Sequence, residues 1–175
     1  GRPAVAWKEK SGGASEGLTI TAPINFVGKG ADIVRLGYTP SGAAAVAVKH
    51  LNTAYLWDKV RVQGGAYVGS SRFDRFSGGF TFLSYRDPNL LATLDIYDHA
   101  DAFLRKDVGP AELTRSVIGA IGEVDRYMLP DTKGMVALQR HLIGEDAGTR
   151  QQMRDEILAA SPRDFRKLAD VLGQV

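Results

Sequence analysis

Strand-like patterning is confined to residues 18–85, whereas every later apolar pattern has a helical period, and this segregation limits the possible folds more than any other feature. From Leu18 onward, Ile20, Ala22, Ile24 and Phe26 alternate with Thr19, Thr21, Pro23 and Asn25, the period of a half-buried strand over 18–27. Pro23 cannot donate to a ladder, which places this strand at an edge or beside a break. The GKG of residues 28–30 reads as a turn. Ser41 then reads as the N-cap of a helix running to about Asp58, with Ala44, Ala47, Leu51, Ala54 and Tyr55 as its apolar stripe. AYVGSSRF and GFTFLSYR, separated by DRFSG, predict a β-hairpin over 66–85. Asp87 before Pro88 marks a helix start, and the stripe Leu90, Leu91, Leu94, Phe103, Leu104 carries that helix to about Leu104. Pro110 opens a segment carrying Leu113, Val117, Ile121 and Val124, which Pro130 ends. Leu138 and Leu142 mark another, Met153 and Ile157 a third, and Ser161-Pro162 caps a last one holding Phe165, Leu168 and Leu172. Strands followed by helices in this order predict an α+β fold, a mainly antiparallel sheet with helices packed on one face.

The chain has 175 residues, 44% of them hydrophobic and 24% charged, enough to bury one core. Residues 18–175 are therefore expected to form a single domain. Residues 1–17 mix Gly, Ser and Lys without periodicity and read as a flexible N-terminal stump. A formal net charge of +2, with no run of like charges, gives no footprint for nucleic acid. The absence of cysteine excludes a disulfide scaffold, a thiol nucleophile and Cys-ligated metal, and suits a reducing compartment. No apolar stretch reaches the roughly 18 residues of a membrane span, so the chain reads as soluble and without a membrane partner.

The candidate chemistry within the chain is sparse. His50, His99 and His141 stand apart and form no H-x-x-H, H-E-x-x-H or H-x-x-E-H pattern. DIYDHAD, residues 95–101, gathers three carboxylates and a histidine, but on a helix these occupy a solvated face beside Leu94. VGKGAD lacks the upstream glycine and the following Ser or Thr of a phosphate loop, and GxGxxG fails at Ile33. The remaining motif is RVQGGAY, residues 61–67, at a junction between helix and strand. A guanidinium offers five donors and a tyrosine hydroxyl one more, so Arg61 and Tyr67 together can grip a carbonyl oxygen as negative charge develops on it. Gly64 and Gly65 leave no side chain where a peptide backbone would come close. An extended segment would put Arg61 and Tyr67 on one side. The alternative is a solvated arginine and an ordinary strand tyrosine.

NFVGKGAD, YLWDKVRVQGGAYVGSSRFD, GGFTFLSYRDPNLLATLDIYD, IGEVDRYMLPDTKG and SPRDFRKLADVL together resemble the C-terminal region of the presequence-degrading zinc metallopeptidases, inverzincins of the pitrilysin and insulin-degrading-enzyme group. The resemblance runs over about residues 18–172. It implies a longer chain of related α+β domains forming two halves around a closed chamber, with zinc held by an H-x-x-E-H in the first domain. This chain has no such motif, so no cofactor is expected within it and zinc is expected in the full-length enzyme. Arg61 and Tyr67 match the arginine and tyrosine that in this family reach across the chamber to the substrate, with Gly64 and Gly65 as substrate-binding positions beside them. The implied partners are the N-terminal catalytic half of the same polypeptide and unfolded peptides. The implied setting is intracellular: the cytoplasm of a bacterium, or the mitochondrial matrix or plastid stroma of a eukaryote. The alternative is a non-catalytic scaffold or peptide-binding module of the same fold. Because the family usually continues into another strand, the chain is expected to be an excised or truncated piece. The vacant sheet edge, or the face that normally meets the other half, would then be covered by a neighbouring chain or by residues 1–17.

Overall fold

A computed structural model describes residues 15–175, so most of the expected N-terminal stump lies outside the described residues. Three strands, β1 (Asn25–Asp32), β2 (Val68–Phe73) and β3 (Gly79–Asp87), form an antiparallel sheet in the order β1-β3-β2. Helix α1 (Ala43–His50) runs without interruption into a π-helical segment, Leu51–Gln63. After the hairpin come α2 (Leu91–Asp98), α3 (Ala100–Leu104), α4 (Pro110–Val124), α5 (Pro130–Leu142), α6 (Ala147–Leu158) and α7 (Pro162–Leu172). The fold is α+β, as the segregated patterning predicts.

The sheet has one covered and one bare face, and β3 shows why. Phe80, Phe82 and Ser84 are buried, while the alternate Thr81, Leu83 and Tyr85 are exposed. Phe82 stacks on Tyr97 of α2 at 4.9 Å, and the π-helical segment lies along β2, so these elements form the layer against the covered face. Helices α4, α6 and α7 pack on α1 and α3 rather than on strands, which makes a second helical layer. Helix α5 contributes no buried residue, and Leu138 and Leu142 of its expected stripe are exposed.

Several sequence expectations need correction. The first strand spans 25–32 rather than 18–27, and its phase is reversed: Val27 is buried, whereas Phe26, Ile20 and Leu18 are exposed. Gly28-Lys29-Gly30 is strand and not turn, because β3 supplies a partner for each of the three. The turn follows instead at Asp32, whose carboxylate accepts from Val34 N and Arg35 N, each at 3.2 Å. The N-cap of α1 is Gly42 rather than Ser41, and its N–H donates to Glu156 Oε2 at 2.6 Å. Ala54 is exposed because the π-helical winding buries Leu51, Leu56 and Val60, at spacings of five and four, in place of an α-helical stripe. Pro130 begins α5 instead of ending α4, occupying the first turn, where its missing N–H costs nothing. On the outer edge of β2, the Asn52 side chain bonds both Ser71 N (2.6 Å) and Ser71 O (2.9 Å), which satisfies the edge at that residue, while most of the 1–17 segment expected to cover an edge lies outside the described residues.

His50 of α1 is buried between Phe103, stacked at 5.2 Å, and Phe165, edge-on at 5.4 Å. Burial lowers its pKa below the ordinary 6.5, Glu112 of α4 acts to raise it, and Arg115 adds to the lowering; its Nδ1 lies 3.4 Å from Ser116 Oγ. A depressed folded-state pKa means that the unfolded chain takes up the proton first. This contribution to stability is therefore present above about pH 6.5 and declines as the pH falls below that value. The urea midpoint is expected to drop between about pH 7.5 and pH 5.5, and to drop less in His50→Leu. Equal pH slopes in the two proteins would contradict this account.

Candidate functional site

The π-helical winding sets the geometry of the RVQGGAY motif. Arg61 lies in the last turn of that segment, so the motif is not extended. Gly64 N donates to Lys59 O at 3.0 Å, Gly65 N to Arg61 O at 3.0 Å and Ala66 N to Val60 O at 3.1 Å, which ends the helix in a tight turn. Gly65 sits at φ +79°, and a Cβ on Gly64 would come within 2.6 Å of Val60 O, so the turn itself requires this glycine pair. Tyr67 N then donates to Tyr85 O at 3.0 Å and enters the sheet in register with β3. The helix end and turn, in place of an extended segment, thereby bring the Arg61 guanidinium to 5.9 Å from the Tyr67 ring.

A second turn braces the first. The Asn89 side chain donates to Gly64 O at 2.6 Å, and the buried Asp87 carboxylate accepts from Asn89 N at 2.9 Å and from Thr93 Oγ1 at 2.7 Å. Asp87 is thus the last residue of β3 and organises the Asp-Pro-Asn turn, while α2 begins only at Leu91. Loss of that carboxylate would leave two donors inside the fold without a partner. Asp87→Ala is expected to cost about 1–3 kcal/mol, read as a lowered urea midpoint. An unchanged midpoint would show that the brace carries no stability.

Around this pair a row of aromatic rings runs from the end of the π-helical segment onto the bare sheet face. The Arg61 guanidinium lies 4.1 Å over the ring of Trp57, four residues earlier on the same side of the π-helical segment. Tyr67 meets Tyr85 edge-on at 5.9 Å, Tyr85 meets Phe26 at 5.2 Å, and the Arg86 guanidinium stands 5.4 Å from the Tyr85 ring. Trp57 is 50% exposed, Phe26 59% and Tyr67 60%, an aromatic surface of the kind that marks an interaction site. Among the described residues neither Arg61 nor Arg86 has a carboxylate partner, so their donors face outward. Sequence reasoning singled out Arg61, Tyr67, Gly64 and Gly65 and did not name Trp57, Phe26 or Tyr85, which the structure sets beside them. The hairpin register that sets Tyr85 opposite Val68 was the available signal for the last of these.

The other candidates are occupied elsewhere. Lys29 of the VGKGAD stretch is ion-paired with Asp98, and Asp95, Asp98 and His99 lie on the exposed side of their helix. Among the described residues no three His, Cys, Asp or Glu side chains come together to hold a metal ion. The isolated chain is expected to retain no stoichiometric zinc after chelation and reloading, and one tightly bound zinc per chain would contradict this. A cavity of about 710 Å³, lined in part by Arg75, Arg126, Arg140 and Glu145, lies among the hairpin turn and α4–α6, away from the aromatic row. No helix of the described residues is long and apolar enough to cross a membrane.

This architecture is an α+β fold with one open sheet face bearing Phe26 and Tyr85, and with arginine and tyrosine donors beside it at the junction of the π-helical segment and β2. The chain belongs to the PreP C-terminal domain family, whose model matches residues 15–175. It is 48% identical over 172 residues to presequence protease 1, chloroplastic/mitochondrial, of Arabidopsis thaliana, covering 98% of this chain and 16% of that protein. It is 34% identical over 162 residues to Protein HypA of Clostridium perfringens (92% and 16%) and 30% identical over 154 residues to the mitochondrial presequence protease of Xenopus tropicalis (85% and 14%). The chain thus spans about one-sixth of the length of the curated relatives it matches.

Proposed function

We propose that residues 18–175 act as one domain, the C-terminal accessory domain of a zinc metalloendopeptidase that degrades unfolded or targeting peptides in a closed chamber. The observation that carries this reading is the convergence of Arg61 and Tyr67 where the π-helical segment ends and β2 begins, in a chain whose relatives include proteins named presequence proteases. In this account the N-terminal half of the same polypeptide faces this side of the chain and would hold the zinc, which when bound would supply the activated water and the Lewis acid for the scissile carbonyl.

The part played by this chain follows from its donors. The Arg61 guanidinium, held 4.1 Å over the Trp57 ring, presents N–H groups to a peptide carbonyl. The Tyr67 hydroxyl donates to the oxygen as it gains charge, and both donors are placed before the reaction begins. Gly64 and Gly65 leave the turn between them bare, so an extended backbone can approach. Trp57, Tyr85 and Phe26 offer apolar surface to side chains of varied shape, which suits a peptidase without narrow sequence preference. The compartment follows the host: cytoplasm in a bacterium, mitochondrial matrix or plastid stroma in a eukaryote.

The full-length polypeptide, assayed with unfolded peptides, is expected to cleave them, to stop on chelation and to recover with zinc. The 175-residue chain alone is expected to cleave nothing. A full-length protein that binds peptides but never cleaves them would place the domain in a non-catalytic scaffold.

A further inference from the structure

The pairing of β1 with β3 breaks at one point. Asn25 faces Asp87 and Val27 faces Ser84, so the single residue Phe26 stands opposite two residues, Tyr85 and Arg86. This is a β-bulge in β3, and Arg86 adopts φ +50° within it, the only non-glycine residue with positive φ among those described. Bulges of this kind usually place glycine at the left-handed position, because a side chain there is strained. An arginine held in such a conformation is the type of outlier that collects at binding and catalytic sites. The bulge also interrupts the alternation of β3, so Tyr85 and Arg86 are both exposed, next to the row that contains Tyr67 and Arg61. The strained backbone is held from behind by Asp87, whose main-chain carbonyl accepts from Asn25 Nδ2 at 3.0 Å and whose carboxylate is buried in the Asp-Pro-Asn turn.

We propose that Arg86 is a peptide-binding residue of this face, its guanidinium taking main-chain carbonyl oxygens of an extended peptide alongside those met by Arg61 and Tyr67. The proposal rests on the peptide-binding reading of the sheet face and deepens it. Stacked beside the Tyr85 ring, the guanidinium keeps its planar fork of donors free at its rim, and no carboxylate among the described residues uses them. The acceptors that complement such a fork on any unfolded peptide, whatever its side chains, are its backbone carbonyls.

The test uses the full-length protein with zinc removed by chelation, so that binding is read without turnover. The probe is a fluorescent, end-blocked, unstructured peptide lacking Asp and Glu, followed by anisotropy. Arg86→Gly removes the guanidinium and relieves the strain. It is expected to weaken binding by about tenfold while leaving the melting temperature unchanged or raised. Arg86→Asn, which tolerates left-handed backbone, repeats the measurement should the glycine variant fold poorly. Arg86→Lys keeps the charge without the fork and is expected to fall between parent and glycine variant. Parent-like affinity in both the Gly and Asn variants would overturn the proposal, whatever the turnover of Arg61 and Tyr67 variants. Conversely, normal turnover in those variants would remove the oxyanion role and leave the binding role of Arg86 standing.

Discussion

Replacing Tyr67 by phenylalanine in the full-length protein is expected to lower kcat by roughly 10²–10³, the usual consequence of losing one donor aimed at a developing oxyanion. The substitution is narrow in its structural effect. The ring is 60% exposed and meets Tyr85 edge-on, a contact that phenylalanine preserves, while the hydroxyl makes no hydrogen bond among the described residues. Arg61→Ala is expected to cost a similar factor, with an added rise in KM because the guanidinium also grips the peptide before the reaction. Arg61→Lys separates charge from geometry: the ammonium keeps the charge but loses both the fork and the guanidinium contact over the Trp57 ring at 4.1 Å. Zinc content and far-ultraviolet circular dichroism are expected to stay at parental values in all three variants. Normal kcat in both Tyr67→Phe and Arg61→Ala would return these residues to a solvated charge and an ordinary strand tyrosine.

Leu56→Ala is expected to remove about 2–5 kcal/mol of stability from the 175-residue chain, a large share of the roughly 5–15 kcal/mol typical of a folded domain. Leu56 is wholly buried in the π-helical segment, which rests on β2. Truncation there both forfeits apolar burial and opens a cavity that this seated segment cannot readily collapse into. The same residue precedes Trp57 and lies five before Arg61, so loosening it also frees the end of the helix that aims the guanidinium. In the full-length protein the expected result is a lowered melting temperature together with reduced kcat. A fall in stability with kcat untouched would show that the segment holds Arg61 without help from Leu56.

The parts of the fold that sequence reading recovered are those governed by local chemistry. The hairpin was visible in two runs of aromatic and β-branched residues around DRFSG, and the last helix in Ser161-Pro162, where Asp164 reaches back to Ser161 N at 3.0 Å. What escaped it depended on partners distant in the chain. Alternation over 18–27 gave the right kind of element with the wrong phase. Which face of β1 is buried is decided by its pairing with β3, and that pairing carries the bulge at Phe26. The site was half legible for the same reason. RVQGGAY announces paired donors and a glycine turn within seven residues, but the winding that stacks Arg61 on Trp57 has no simple pattern in the sequence. Tyr85 and Arg86 come beside these residues only through cross-strand register and a left-handed residue that is not glycine.

The central claim is that Arg61 and Tyr67 meet the substrate, and a structure of the full-length protein, inactivated by zinc removal and bound to an unfolded peptide, tests it most directly. The account predicts that the Tyr67 hydroxyl and the Arg61 guanidinium each lie about 2.7–3.2 Å from a carbonyl oxygen of the peptide, with the backbone passing over Gly64-Gly65. A peptide seated elsewhere, with both side chains left in solvent, would contradict it.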